Sequence, residues 1–590
     1  MAESIISPGV YTRETNNSYI TPAPIAAGAA FVGPTVKGPQ NQPLIVTSYG
    51  DYVRKFGELY VSASNKNYEF LTSVAVKNYF QNGGQTALVT RVANGTYTAA
   101  TNTFISASAK GSTQPFTLAT LGKGVLYNNA AGQFSATASN ATYNNTDGSL
   151  KSGSADNLRW EISSINKALG SFSISVRQGD DNTNNTSILE TFSVNLDPNS
   201  DKYIEKVIGN QEIVVATDSS TGVSYNYAVG EYPNQSNYIR VSTVNLPTNQ
   251  YVGNDGITVN TDATNTSYSA SLPNSGSGSF YNATGAVAAT ATFFSSIMGG
   301  ADAQGLAASD YTTALSLLAN KDEYQFNIIS TPGLLYGGSG NFTTVVNRFI
   351  ALAEDRGDCI AVVDLVPTGS QVATVTSAAA SLNSSYAAAY WPWLQIKSAT
   401  GRNEWVPAGT VIPGVYAFTD ASSAPWFAPA GLVRGGIGGV IQAERKLTKG
   451  DRDVLYAAKV NPIATFPGTG ISVFGQKTLQ TKASALDRVN VRRLLIELKK
   501  FIGDQARNLV FEQNTISTRN KFLTAVNPYL ESVVQRQGLY AYRVVMDDTN
   551  NTADAIDRNQ LVGQILIQPA KTVEFVVLDF TIQPTGATFS

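Results

Sequence analysis

The sequence predicts an α+β protein of several domains, in which an all-β segment interrupts an α/β domain and a further α/β unit follows. First, the 590 residues are about four times the length of a typical domain. Second, strands and helices alternate before residue 94 and after residue 299, whereas the segment between them has short alternating apolar runs separated by polar turns. Third, the only long amphipathic helix lies near the C-terminus.

Residues 1–22 are predicted to form an extended N-terminal arm. Val10 and Thr12 alternate with Tyr11, as in a strand. Pro22 and Pro24 then follow, and proline can neither continue a helix nor occupy a central strand. The arm is therefore separated from the body by a stiff connector, and its strand needs a partner sheet.

Residues 23–93 and 300–457 are predicted to form one discontinuous α/β middle domain. Its first part has strands near 26–36, 44–46 and 86–92 and helices near 48–57 and 71–80. Its second part has helices near 309–318 and 342–353 and strands near 324–330 and 359–365. Helices and strands that alternate in this way are typical of an α/β layer.

Residues 94–299 are predicted to form an inserted, outward-facing β-rich region of one or two subdomains. Charged residues are sparse, and alternating runs occur at 158–162, 171–176 and 212–215, between turns at 180–185 and 197–200. The Asn-rich loops are explained most simply as solvated surface, with a receptor or glycan site as the alternative.

The C-terminal unit, residues 458–590, contains the amphipathic helix, expected from Asp487 to about Gln513. The face opposite its apolar arc carries a basic stripe formed by Arg493, Lys500 and Arg507. The stripe has two explanations: intrahelical pairing with Glu497 and Asp504, or contact with an acidic partner.

A strand is predicted at 572–581, near the other end of the chain from the arm. Val573, Phe575 and Val577 alternate with Leu578 and Phe580, so both faces are apolar. An unpaired strand of this kind would aggregate unless it pairs with another strand.

The composition excludes several classes of active site. Histidine is absent, which removes Ser-His-Asp and Cys-His nucleophiles and His-ligated zinc. Cys359 lies in an apolar run and is predicted to be a buried hydrophobe. Asp547 and Asp548 are expected to cap a local turn rather than bind a cation, and the glycines at 435–439 are expected to allow close backbone packing. We therefore expect no enzyme, no cofactor and no metal site.

Overall charge gives no reason to expect a nucleic-acid partner, because 41 basic residues face 43 acidic ones. The N-terminus lacks the basic and apolar regions of a signal peptide, and no run approaches the ~18 apolar residues of a membrane span. We expect a soluble product made in a cytoplasm, with no direct membrane insertion.

Several ordered motifs resemble the tail sheath proteins of contractile-tailed bacteriophages. These are Ser-Pro-Gly-Val-Tyr-Thr-Arg-Glu at 7–14, Gly-Gly-Ala-Asp-Ala at 299–303, Ser-Tyr-Ala-Ala-Ala-Tyr-Trp-Pro-Trp at 385–393, the segments 406–409, 413–420 and 424–430, and Phe-Pro-Gly-Thr-Gly-Ile-Ser-Val-Phe-Gly-Gln-Lys-Thr-Leu at 466–479. The resemblance covers residues 1–92 and 299–590. The chain departs from the family pattern at Phe418, Phe474 and Lys477.

The resemblance implies a helical homo-oligomer that forms a sleeve around a tail tube and contracts to drive the tube through the host envelope. It implies that terminal strands of neighbouring subunits complete the sheet of the C-terminal domain, through Ile5, Ile6, Val10, Tyr11 and Thr12 at one end and Val573, Phe575, Val577, Leu578 and Phe580 at the other.

It further implies that Arg493, Lys500 and Arg507 face the tail tube protein. Baseplate and tail terminator proteins are the other implied partners, and the protein is expected in the virion after assembly in the host cytoplasm. The alternatives are a sheath from a bacterial contractile injection system or tailocin and, from another class, a polysaccharide-binding or polysaccharide-cleaving surface protein.

Overall fold

The computed structural model describes residues 25–61, 67–95, 97–102, 105–107, 113–124, 149–150, 153–252, 258, 271–281, 306–337 and 342–574. The N-terminal arm at 1–22 and residues 575–590 lie outside these ranges. The predicted mixed α/β protein with several sheets is confirmed.

The N-terminal part of the body is an α/β layer, as the alternation of strands and helices predicts. Small residues are required in its first strand because a helix packs directly on it: a Cβ at Gly28 would lie 2.2 Å from Oη of Tyr79, and one at Gly33 would lie 2.4 Å from Oγ1 of Thr72. The elements are β1 (Ile25–Gly33), β2 (Leu44–Val46), α1 (Tyr49–Phe56), β3 (Leu59–Val61), β4 (Asn67–Glu69), α2 (Leu71–Gln81) and β5 (Ala87–Arg91).

The described residues of the segment that follows form strands and one short helix, and their core is formed by the buried faces of alternating strands. Its elements are β6 (Ala99–Asn102), β7 (Phe116–Lys123), β8 (Leu158–Asn166), β9 (Ser171–Gln178), β10 (Ile188–Asn195), α3 (Ile204–Ile208), β11 (Glu212–Thr217), β12 (Ser224–Val229), β13 (Ile239–Val244) and β14 (Gly276–Tyr281). Seven strands form one sheet in the order β10-β9-β8-β14-β6-β7-β13, while β11 and β12 form a separate hairpin.

Strands and helices then alternate again. The elements are α4 (Tyr311–Leu317), β15 (Tyr324–Leu335), α5 (Thr343–Arg356), β16 (Ile360–Asp364), α6 (Val372–Ala380), β17 (Ala387–Trp391), β18 (Leu394–Lys397), β19 (Asn403–Val406), α7 (Ile412–Ser422), α8 (Gly431–Arg434), β20 (Val440–Ala443), α9 (Lys449–Ala457), β21 (Val460–Phe466) and β22 (Gly470–Val473). Strands β18, β19 and β20 form a small antiparallel sheet.

An eight-stranded sheet joins the segments on either side of the β-rich stretch, in the order β2-β5-β1-β15-β16-β17-β21-β22. Strand β1 is parallel to both β5 and β15, with Ala29 opposite Ala87 and Ile328. Strands β21 and β22 belong to this sheet although they lie beyond residue 457, where the sequence places the start of the C-terminal unit. The reason is the parallel pairing of β21 with β17, a long-range contact that local patterns do not encode.

Alternation within β1 shows how helices cover both faces of this sheet. Ala30 and Val32 point into one core with side chains of α4, α5 and α6, whereas Ala29 and Phe31 point into a second core with side chains of α1, α2 and α7.

The remaining elements are α10 (Val489–Arg507), α11 (Ile516–Gln535), β23 (Leu539–Val545), α12 (Ala553–Asp557) and β24 (Gln564–Pro569). Leu494, Leu498, Phe522 and Val526 form a core between α10 and α11, and Trp426 joins it from the segment before α8. None of the helices in the described part of the chain is long and apolar enough to cross a membrane.

Two predictions about these helices are wrong. Helix α10 begins at Val489 rather than Asp487, because Ala485–Asp487 forms a separate 3-10 turn, and it ends at Arg507 rather than near Gln513. The long amphipathic helix is also not the only one, since α11 has 20 residues. The sequence hides α11 because Pro528 lies inside it, and proline normally breaks a helix.

Candidate assembly surface

Arg493 does not lie on an exposed basic stripe, and that prediction is wrong. Its side chain is 3% exposed, and Nη2 donates hydrogen bonds of 2.6 and 2.5 Å to the two carboxylate oxygens of Asp420 at the end of α7. The guanidinium also lies 4.7 Å from the ring centroid of Tyr416. The N-terminal half of α10 is therefore buried against α7 on its basic side as well as on its apolar side.

Lys500 and Arg507 lie at the other end of α10, where the helix is more open. Lys500 is half-buried, whereas the Arg507 side chain is 57% exposed and its Nη2 lies 3.1 Å from Asp322 of the α4–β15 connection. Both line a cavity of about 220 Å³ with Lys321 and Lys499, so this end of the helix has a surplus of positive charge.

The intrahelical pairs predicted from the sequence are not the ones that the structure contains. In the described part of the chain, neither Arg493 with Glu497 nor Lys500 with Asp504 approaches within ion-pair distance. Asp504 instead lies 3.9 Å from Nη1 of Arg507. Because this pair is exposed, it stabilises the helix little.

Strands β23 and β24 form a two-stranded antiparallel sheet, and no third strand pairs with either of them among the described residues. Side chains of α11 pack against one face of this sheet, including Val533 against Leu539. On the other side Tyr540 is 65% exposed and Leu566 is 48% exposed. Among the described residues both edges of the sheet are therefore open, and open edges are templates for strand addition.

Residues 572–574 extend away from β24 without regular secondary structure, and we call them the C-terminal strap. Its last residue, Glu574, accepts hydrogen bonds from Arg488 Nε at 2.6 Å, Arg488 Nη2 at 3.0 Å, Tyr456 Oη at 2.8 Å and Gln476 Nε2 at 3.1 Å. Burial opposes ionisation, but these donors hold the pKa of Glu574 below its usual value.

Only one of the ten residues predicted for strand addition, Val573, lies within the described ranges. It is 77% exposed and belongs to the strap rather than to a strand. The other nine lie outside the described residues; they are Ile5, Ile6, Val10, Tyr11, Thr12, Phe575, Val577, Leu578 and Phe580.

Sequence reasoning missed Glu574 and its partner Arg488. Arg488 and Asp487 form an ion pair at 3.0 Å, and two neighbouring opposite charges before a helix give no sign of a contact 86 residues further on. Glu574 lies within the strand predicted at 572–581, and the sequence gives it no partner. A charged residue inside an otherwise apolar run was the one available signal.

The remaining candidate groups have structural roles. Cys359 is fully buried, and burial raises the pKa of its thiol to about 12, which confirms the prediction of a buried hydrophobe. Asp547 Oδ1 accepts a 2.9 Å hydrogen bond from the Thr549 amide, so it caps a local turn as predicted, whereas Asp548 instead forms an ion pair with Arg519 at 2.6 Å. A Cβ at Gly435 would lie 2.6 Å from the Val473 carbonyl oxygen, so the backbone packs too closely there for a side chain, as expected. The described residues contain no group of three or more acidic or cysteine side chains arranged to hold a metal ion.

Two family models match the chain in succession. Residues 304–479 match the phage tail sheath protein central domain, and residues 481–583 match the phage tail sheath C-terminal domain. The matched region includes the central sheet from β15 onward, α10, β23, β24 and the strap.

Curated relatives include two phage proteins, each named tail sheath protein. The one from Vibrio phage KVP40 is 43% identical over 189 residues and the one from Enterobacteria phage T4 is 41% identical over 187 residues; each match covers 32% of this chain and 28% of the relative. The match thus spans less than a third of the length of either relative.

A crystal structure of a sheath tail protein from Listeria innocua has a similar fold. It aligns with a TM-score of 0.50 at 11% identity and covers 90% of both chains. At that identity the likeness concerns the fold alone, and it supports the mixed α/β architecture. The two consecutive domain matches and the phage relatives show that residues 304–479 and 481–583 are similar to the central and C-terminal domains of phage tail sheath proteins.

Proposed function

We propose that this chain is the structural subunit of a contractile phage tail sheath, without enzymatic activity. Many copies polymerise as a helical sleeve around the tail tube, and the sleeve contracts to drive the tube through the host envelope. The observation that carries the proposal, beside the similarity to phage tail sheath domains, is the two-stranded sheet of β23 and β24, both edges of which are open among the described residues. An open edge in a polymerising protein is a site for another subunit's strand.

In this proposal the two chain ends complete that sheet in neighbouring subunits. The arm at 1–22 supplies one strand, through Ile5, Ile6, Val10, Tyr11 and Thr12, and a segment around Phe575–Phe580 supplies the other. Each main-chain hydrogen bond contributes roughly 0.5 to 1.5 kcal/mol net. Each added strand makes several of these hydrogen bonds, and they recur at every subunit, so they join neighbouring subunits throughout the sleeve.

The proposal keeps the domain division expected from the sequence, except that β21 and β22 join the middle sheet. The middle domain is formed by 23–93 and 300–457 with these two strands, the β-rich region at 94–299 faces outward, and the rest of 458–590 forms the polymerisation unit. Contraction is then a rigid-body rearrangement of subunits between two packings, with the terminal strands still paired.

The basic end of α10 is the part of the surface proposed to face the tail tube. Lys500 and Arg507 take this role, whereas Arg493 is excluded by its burial. Baseplate and tail terminator proteins are the partners at the two ends of the sleeve. The proposal includes no nucleic-acid partner and no membrane insertion, and it places the protein in the virion after assembly in the host cytoplasm.

Deletion of residues 1–20 tests the strand exchange. We expect the shortened protein to keep the circular dichroism and melting profile of the full chain but to form no ordered sleeves by negative-stain microscopy. The control is a full-length variant in which exposed Lys167 and Lys202 of the β-rich region are replaced with alanine, and it should form normal sleeves. Normal sleeves from the deletion variant would contradict the proposal.

A charge reversal tests the tube-facing surface. The double variant Lys500→Glu and Arg507→Glu should form sleeves less readily around the tube, because repulsion recurs at every subunit. The control, Lys167→Glu with Lys202→Glu, makes the same change in net charge on exposed residues of the β-rich region. Equal co-sedimentation of tube protein with both variants would refute the role of α10.

The two alternative functions are not equally supported. A sheath of a bacterial contractile injection system or tailocin would use the same contacts, and the genes beside this one would distinguish it: a capsid gene indicates a phage and a secretion ATPase gene an injection system. The polysaccharide-binding or polysaccharide-cleaving protein has no support among the relatives described above.

A further inference from the structure

The C-terminal strap crosses a groove and is attached mainly at its far end. Lys571, Thr572 and Val573 are exposed, and cavities of about 530 and 390 Å³ lie on the two sides of the strap. Thr572 accepts one 3.1 Å hydrogen bond from Asn490. Glu574, by contrast, is half-buried and uses both carboxylate oxygens for two hydrogen bonds each.

The donors to Glu574 come from three different parts of the fold. Tyr456 lies on α9, whose Leu455 is buried in the core beneath the eight-stranded sheet. Gln476 follows the edge strand β22 and is 3% exposed, and Arg488 precedes the first residue of α10. One carboxylate therefore connects the middle sheet, its edge and the C-terminal unit.

The donors are also held in place by their own contacts. The Val489 amide donates to the Gln476 carbonyl at 2.8 Å, which joins the backbones of two donor segments. Lys477 Nζ lies 4.2 Å from the ring centroid of Tyr456 and donates to its carbonyl at 2.8 Å. These contacts hold the donor segments together without involving Glu574.

We propose that Glu574 is the anchor of the C-terminal arm: its contacts with Tyr456, Gln476 and Arg488 fix the point at which residues 575–590 leave the subunit toward a second copy of this chain. This inference rests on the proposed strand exchange. Without the anchor the last backbone attachment would be Ala570, whose amide donates to the Gly538 carbonyl at 3.1 Å, and residues 571–574 would add up to roughly 14 Å of slack. A longer tether lowers the effective concentration of the strand at the neighbouring sheet.

The first test uses the isolated subunit and does not depend on assembly. Trypsin should cleave after exposed Lys571 faster when the strap separates from the groove, because Glu574 holds the chain three residues beyond the cleaved bond. A bidentate arginine–carboxylate contact is strong, so Glu574→Ala should raise the initial rate of this cleavage about tenfold or more. The control Asp557→Ala removes an exposed carboxylate from α12 of the same unit and should cleave at the wild-type rate.

The double variant Glu574→Arg with Arg488→Glu shows whether faster cleavage reflects the lost ion pair or a general loss of folding. Glu574→Arg adds a trypsin site at residue 574, so mass spectrometry is used to follow only the product cut after Lys571. Each single variant should be cut fast at that bond, and the double variant should recover at least part of the wild-type resistance there. Wild-type resistance in Glu574→Ala would overturn the anchor, and so would an equal increase in the Asp557→Ala control.

The second test uses the assembled sleeve, and it distinguishes failure of the Glu574 anchor from failure of the proposed sheath function. Glu574→Ala sleeves should dissociate in urea several-fold faster than wild-type or Asp557→Ala sleeves. If wild-type and Glu574→Ala sleeves dissociate at one rate while deletion of residues 1–20 abolishes assembly, strand exchange stands and the anchor is refuted. If the wild-type protein forms no sleeves at all, the proposed function and the anchor's role in it both fail.

Discussion

The buried contact between Arg493 and Asp420 should show an asymmetric response to mutation. The Arg493 side chain is 3% exposed, whereas that of Asp420 is 29% exposed. Replacing Asp420 with asparagine leaves a cation that cannot reach water. Replacing Arg493 with methionine leaves a carboxylate that water can solvate. We therefore expect Asp420→Asn to destabilise the protein more than Arg493→Met.

The exposure of the side chain that remains unpaired sets how much each variant destabilises the protein. Breaking a buried pair by removing one partner costs about 3 to 5 kcal/mol, and Asp420→Asn should fall near the lower end, at about 3 kcal/mol, because the asparagine side-chain oxygen can still accept a hydrogen bond from Arg493. Arg493→Met should cost only about 1 kcal/mol, because methionine packs against Tyr416 and the arginine already has an Nη1 atom without a hydrogen-bond partner among the described residues. The double variant should resemble Arg493→Met, since it no longer buries an unpaired charge.

Hydrogen exchange measured by mass spectrometry is the appropriate assay, because a chain with several domains need not unfold in a single step. Peptides from α10 should lose about two orders of magnitude of protection in Asp420→Asn and less than one in Arg493→Met. Peptides from β8 and β9, in the separate β-rich sheet, provide the internal control. Equal losses in the two single variants, or a larger loss in Arg493→Met, would refute the reasoning.

Two further buried groups give predictions of the same kind. Burial raises the pKa of Glu69 to about 7, so the stability it contributes is present at low pH and is lost as the pH rises through that value. Glu69→Gln should narrow the difference in the free energy of opening of α2 between pH 5 and pH 8 by up to about 3 kcal/mol, as measured by hydrogen exchange of α2 peptides at both pH values. Asp181 pairs with Arg159 at 2.9 Å and Arg177 at 2.6 Å, all three being buried. Asp181→Asn should therefore destabilise the β-rich sheet by about 3 to 5 kcal/mol, seen as faster exchange in β8, while exchange in α10 should stay unchanged.

Local patterns were sufficient for many of the elements. The apolar run of small residues at the start of the body predicts β1, and the spacing of apolar residues in the next segments predicts α1 and α2. These signals are local because each element buries one stripe or face, and the side-chain period records which one. The burial of Cys359 could be inferred in the same way.

Local patterns failed where a proline or a distant partner changed the outcome. The sequence places Arg493 opposite the apolar arc of α10, and that much is correct. What covers the opposite side is α7, whose Asp420 lies 73 residues earlier. Pro528 concealed α11 because the usual penalty for an internal proline was outweighed by the packing of Phe522, Val526 and Leu530 in the C-terminal core.

The sequence by itself determined the mixed α/β class, the family resemblance and the absence of histidine chemistry. Only the tertiary structure decided which charges are exposed, that β21 joins β17, and that Glu574 meets Arg488 across 86 residues. The physical reason is that periodicity shows which face of an element is apolar, whereas the depth of a charge depends on what packs over it, and that is set by contacts between residues far apart in the chain.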